Sequence, residues 1–170
     1  MKTQLLVCLL GVFLSVSAAA DVQEERAEVS IPGVAPEETP RSASQCPEGW
    51  QSHQDHCYLV VNLVYDRINA EFQCESFSSS LASVHNLWEY TFLQQMTRKA
   101  GLKSAWIGGY RFQGYWRWDD GTPFNYNNWY SNDGSSYKEC IYLNSEGVYG
   151  WSNEECRKSH PFICSMKLSC

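Results

Sequence analysis

The sequence predicts an α+β domain, because two stretches with helical spacing come first and a series of short apolar segments follows. Eight cysteines and seven tryptophans among 170 residues add a second expectation, a small disulfide-braced fold around an aromatic core. The length suits one domain, and a hydrophobic content of 44% excludes disorder throughout. A formal charge of -6 leaves no basic excess to attract a nucleic acid or an anionic membrane.

Taken in chain order, residues 1–20 carry Lys2, an apolar stretch from Leu5 to Leu14, and a close of Ser15, Val16, Ser17, Ala18, Ala19 and Ala20. A basic start, an apolar run too short to span a bilayer comfortably and small residues at the end describe a secretory signal peptide, cut after Ala20, rather than a membrane anchor. Its removal takes one base, Lys2, and one cysteine, Cys8, so a charge of -6 becomes -7 and eight cysteines become seven. An odd number in an oxidising compartment leaves one thiol over, and 7 × 15 = 105 pairings stay open. Residues 21–45 hold Glu24, Glu25, Glu28, Glu37, Glu38 and three prolines without an aromatic side chain. Such a segment buries too little to offset its ordering entropy and reads as an acidic arm or propeptide. The domain proper spans 46–170.

Within it, Cys57 to Val61 form a β-prone run close after Trp50, which predicts an opening hairpin. Asp66 can cap a first helix reaching about Phe77, with Ile68, Phe72 and Cys74 as its inward stripe. Asn86 with Glu89 three residues on marks a second N-terminus, followed by Trp88, Phe92, Leu93 and Met96 at helical spacing until Gly101. Strands are then expected at Ala105–Ile107, Tyr115–Trp118, Cys140–Leu143 and Phe162–Cys164. Trp106, Trp116, Trp118 and Trp151 belong to the core. The 21 residues from Asp119 to Glu139 are dense in Asp, Asn, Gly, Ser and Tyr, and a loop of that length inside a small domain points to binding. Phe124 and Trp129 are its anchors.

Motifs for catalysis do not stand out. The sequence has no phosphate-cradling glycine loop, no His-Glu-x-x-His helix and no Gly-x-Ser-x-Gly elbow, so no enzyme is expected. His53 and His56 sit in a polar turn without a carboxylate cluster. Asp119 and Asp120 are neighbours at a strand end, so their side chains diverge and a turn-forming role is expected of them.

Cys46-Pro47-Glu48-Gly49-Trp50 before Cys57-Tyr58, Cys74 on the first helix, Ala105-Trp106-Ile107-Gly108-Gly109, Trp116 to Pro123, Asn128-Trp129, Cys140, Trp151, Cys156 and Cys164 together resemble a C-type lectin-like domain. The match covers Cys46 to Cys170, and its Gly-Gly ending is similar to secreted fish lectins and type II antifreeze proteins. The resemblance implies two helices packed on short antiparallel sheets, a long irregular binding loop and three intradomain disulfides. These pair Cys46 with Cys57, Cys74 with Cys164 and Cys140 with Cys156, leaving Cys170 to join a disulfide-linked homodimer.

It also implies glycan partners, extracellular localisation, and a sugar site in the loop. Calcium-dependent members carry a Glu-Pro-Asn or Gln-Pro-Asp tripeptide there, a Glu two residues before the counterpart of Cys140, and a Trp-Asn-Asp run. This chain has no such tripeptide, Lys138 in the Glu position, and Trp151-Ser152-Asn153 as the run. An ammonium at a ligand position removes an oxygen and repels the ion, so no cofactor is expected at the usual sugar site. Asp133, Glu139 and Asn153 remain as a rearranged alternative. Sugar would be held directly by Asn127, Asn132, Asp133, Lys138, Glu139, Ser152 and Asn153 beside Tyr130 and Tyr137. A galactose- or lactose-type lectin is the leading expectation. Ice binding is the alternative, although the extra cysteines of antifreeze relatives correspond to Phe112 and Tyr130 here, and a protein-binding module is a third.

Overall fold

The β-prone run after Trp50 folds back on itself. In the computed structural model β1 (Gln51–His53) pairs antiparallel with the start of β2 (His56–Tyr65), across a two-residue turn where Gln54 takes φ 55°. The structure describes residues 45–147 and 149–168, so the predicted leader, the acidic arm up to residue 44 and Cys170 lie outside the described residues.

The first helix, α1 (Arg67–Ser76), starts where its cap was expected, with the Asp66 carboxylate accepting from the Asn69 N–H. Its inward stripe matches the prediction at Cys74 and departs from it at Ile68 and Phe72. Ile68 and Phe72 are 58% and 61% exposed, whereas Arg67, Ala70 and Cys74 are buried. The small Ala70 lets the helix approach the sheet, Cys74 makes its disulfide, and the Arg67 guanidinium is drawn inward by a carboxylate from the distant loop. After β3 (Ser80–Leu81), α2 (Leu87–Lys99) is capped by Asn86, and Glu89 returns its carboxylate to the His85 N–H at 2.6 Å. Leu93 and Met96 face inward with Tyr90, but Trp88, in the first turn, is 75% exposed.

The remaining strands are β4 (Ser104–Phe112), β5 (Tyr115–Trp118), β6 (Trp129–Ser131), β7 (Cys140–Asn144), β8 (Trp151–Glu154) and β9 (His160–Lys167). They form one hydrogen-bonded network in the order β1-β2-β9-β4-β7-β8-β6, with β3 on β9 and β5 on β4. Pairing is antiparallel except for parallel bridges at Trp106↔Phe162 and between β6 and β8.

Strand alternation then sorts the core into two layers. Tyr58, Ala105, Ile107 and Ile163 pack with Tyr90 and Leu93 of α2, while Trp106, Phe162 and Cys164 pack with Ala70 and Cys74 of α1. Trp106, Trp118 and Trp151 are buried as expected, and Trp116 packs partly buried against the layer that holds Trp118 and Trp151. The three disulfides are those the resemblance implied: Cys46–Cys57, Cys74–Cys164 and Cys140–Cys156. The Gly108 that follows the Trp-Ile pair has a packing reason, since a Cβ there would lie 2.7 Å from the Leu81 carbonyl oxygen.

Candidate functional site

The long loop is held at its root by the two carboxylates that open it. Asp119 and Asp120 do diverge. Asp119 pairs with Arg67 of α1, whose guanidinium also binds Glu71 at 2.8 Å and lies 5.1 Å from the Tyr110 ring centre. Burial pushes the Asp119 carboxyl up to about 7 against the downward pull of Arg67. Asp120 accepts from the Ser83 hydroxyl at 2.5 Å and from both the backbone N–H and the hydroxyl of Thr122. Burial works upward on Asp120 too, but these donors hold it below the ordinary carboxylate range. The expected turn role is therefore real, and each carboxylate also fastens the loop to a different part of the fold. Sequence reasoning missed Arg67, Ser83 and Thr122, whose partners stand 52, 37 and 2 residues away respectively.

The middle of the loop is pinned by its aromatic residues. Phe124 lies 4.8 Å from Trp118 between ring centres, Trp129 lies 4.9 Å from Trp116, and Tyr126 lies 5.7 Å from Trp151. Both predicted anchors behave as anchors. Trp129 adds a parallel strand contact opposite Trp151, which also binds the Asn128 carbonyl through its N–H at 2.9 Å.

Toward the tip, three of the predicted site residues close into a knot. The Lys138 ammonium donates to Asp133 Oδ2 at 2.7 Å. Asn153 Nδ2 donates to Asp133 Oδ1 and to the Lys138 carbonyl, each at 3.1 Å, and Asn153 Oδ1 accepts from the Asp133 N–H at 3.3 Å. Ser135 N–H adds a donor to the same carboxylate at 3.0 Å. The Lys138 ammonium, with the Ser135 amide, holds the Asp133 carboxyl well below its usual range, and Asp133 in turn raises the lysine. Asp133 and Lys138 keep 38% and 27% of their side-chain surface in solvent, so their tie fixes geometry more than it stabilises.

The other predicted residues divide into two groups. Asn127, Asn132 and Glu139 are exposed, as are Tyr130 at 58% and Tyr137 at 63%. Asn132 Oδ1 accepts from the Gly134 N–H at 3.2 Å in a turn, on an exposed residue whose amide donors have no partner among the described residues. Ser152 instead is buried on β8 and accepts from Asn144 Nδ2 at 3.1 Å. This surface can offer a polyhydroxylated ligand amide donors, carboxylate acceptors and two aromatic faces. Among the described residues no group of three or more His, Cys, Asp or Glu is placed to hold a metal ion. Nor is any helix among them long and apolar enough to cross a membrane.

The sequence profile described as the lectin C-type domain matches residues 66–166. The galactose-specific lectin nattectin of Thalassophryne nattereri is 31% identical over 143 residues, 80% of this chain and 89% of nattectin. A type-2 ice-structuring protein of Hemitripterus americanus is 32% identical over 165 residues, 93% of this chain and 99% of its own length. Among solved structures, a calcium-independent type II antifreeze protein superposes with a TM-score of 0.67 at 27% identity, covering 74% of this chain and 96% of the other.

Proposed function

Because the chain belongs to the C-type lectin domain family, we propose that it is a secreted carbohydrate-binding protein whose long loop takes a galactose-type unit of microbial or cell-surface glycans without calcium. The observation that carries this reading is the closed Asp133–Lys138–Asn153 knot. The ammonium supplies, from within the chain, a positive charge beside Asp133, and it neutralises the carboxylate that an ion would otherwise need. The galactose-specific relative nattectin supports the sugar class. In this reading Asn127, Asn132, Glu139, Tyr130 and Tyr137 meet the sugar, Asp133, Lys138 and Asn153 shape the tip, and Ser152 backs it through Asn144. Residues 1–20 direct export, residues 21–45 are a solvated arm, and Cys170 joins two copies so that weak sites act together.

Glycan-array binding of the exported protein, with and without EDTA, tests the proposal. Retention of galactosides in both conditions is expected, and the reading fails if nothing binds or if EDTA abolishes the signal. A non-reducing gel checks the pairing of copies, where migration as a monomer would remove it.

The ice-structuring relative, matched over 93% of this chain, favours ice binding as a second reading. Phe112 and Tyr130 stand half exposed where the extra cysteines of such relatives were expected. Thermal hysteresis of a dilute solution above the colligative value would establish that reading in place of the first.

A further inference from the structure

A second concavity, of about 670 Å³, lies on the α2 face of the sheet and shares no lining residue with the loop tip. Its size falls in the roughly 300–1,000 Å³ range of ligand clefts. Its floor follows from strand register. Tyr58 is opposite Ser165 and His56 opposite Lys167 between β2 and β9, and Ser80 of β3 is opposite Ser165 on the other side. Paired residues project to one face, so His56, Lys167, Ser165 and Ser80 form a polar row across three strands. Asp120 and Thr122, at the root of the loop, close the opposite wall.

Asp120, Thr122 and His56 are already hydrogen-bonded, whereas the rest of the row is open. No hydrogen bond among the described residues engages the hydroxyls of Ser80 or Ser165, and the Lys167 ammonium is in no ion pair among them. The charges nearly cancel: Lys167 and Asp120 both line the bowl, and His56 is held by Asp55 at 2.9 Å. An anionic ligand would meet the Asp120 carboxylate on the wall, and the one ammonium, Lys167, already lies in the field of Asp55. A neutral ligand rich in hydroxyl groups would find a donor in Lys167, an acceptor in Asp120, hydroxyls that serve as either, and the imidazole of His56 for its C–H face. Because the row stands on paired strands and Asp120 is fixed by Ser83, the bowl is preformed rather than assembled by the ligand.

We propose that this bowl is a second binding site, for a neutral saccharide unit, which makes a single domain bivalent. The proposal rests on the carbohydrate-binding reading above but not on the loop as the place of contact. A domain with two such sites can bridge two glycan chains, or two units of one chain, without a second copy.

The test is an amide-resolved NMR titration of the full exported protein with galactose, mannose and N-acetylglucosamine in turn, and with galactose 6-sulfate as the charged comparison. Saturable shifts are expected at Ser80, Thr122, Ser165 and Lys167 with at least one neutral sugar, separate from those at Asn132 to Gly134. The sulfated sugar should bind there no more tightly. The double variant Ser80→Val/Lys167→Ala should weaken binding at the bowl at least tenfold and leave the loop shifts unchanged. Lys167→Ala alone, at an exposed position, guards against misfolding and should weaken the same shifts. Sugar-induced shifts confined to the loop, bowl shifts that survive both variants, or tighter binding of the sulfated sugar would overturn the inference. Shifts confined to the bowl would sustain it while removing the loop reading, and an absence of shifts anywhere would remove both.

Discussion

Replacing Lys138 by Glu would exchange the ammonium that sits 2.7 Å from Asp133 for a second carboxylate beside Asp133. With Asn153 Oδ1 nearby, that adds anionic oxygen of the kind a hard divalent ion takes and removes a positive charge that would oppose one. The expected outcome is that millimolar calcium raises the melting temperature of Lys138→Glu and leaves the wild type unmoved. An equal response from the two proteins would mean that Lys138 does not govern cation access. Asp119 carries a separate consequence. Its ordinary pKa is 3.8 and burial pushes it up to about 7, so folding favours the protonated acid. That contribution is full below about pH 4 and is lost as pH rises toward 7. Between pH 4.5 and 7.5 the urea midpoint of the wild type should therefore fall relative to that of Asp119→Asn, and a parallel pair of curves would count against the burial argument.

At the scale of elements, both helix starts were legible because capping is local. Asp66 reaches Asn69 and Asn86 reaches Glu89, each three residues on. Inward faces were less legible. Apolar rank pointed to Ile68 and Phe72 beside Cys74; α1 keeps Cys74 inward on Cys164 but buries Arg67 and Ala70 in place of the other two, for reasons that lie in Asp119 and the close sheet. The strands β3 and β6, with two and three residues, are too short to carry a period of their own. The candidate site divides in the same way. Composition marked the loop and its aromatic anchors, but the bond between Asn153 and Asp133 spans 20 residues and leaves no trace in local sequence. The corrected face of α1 can be checked. Ile68→Glu and Phe72→Glu should each stay within about 0.5 kcal/mol of wild type in urea denaturation, as surface changes do. Ala70→Leu, at a fully buried position, should cost roughly 1–3 kcal/mol through overpacking. Reversal of that order would restore the predicted stripe.

For the whole molecule, the disulfides differ in the length of chain they constrain. Cys74–Cys164 spans 90 residues and ties α1 to β9, whereas Cys46–Cys57 and Cys140–Cys156 span 11 and 16. Loop-entropy reasoning assigns on the order of 4 to 5 kcal/mol to the long bridge and about 3 kcal/mol to each short one. The paired variant Cys74→Ala/Cys164→Ala should accordingly melt at a lower temperature than Cys46→Ala/Cys57→Ala, measured by calorimetry at equal protein concentration. An inverted order would show that local strain outweighs the constraint on the unfolded chain. The pairing of β2 with β9 reaches further, since Leu59 of the first long strand lies opposite Cys164 of the last. On the ribosome, β2 emerges long before β9 exists, and both core layers wait for that final strand. Until it arrives, Cys57, Cys74 and the apolar side chains beside them stand unshielded. The order of synthesis therefore leaves the fold short of its central strand through nearly its whole elongation.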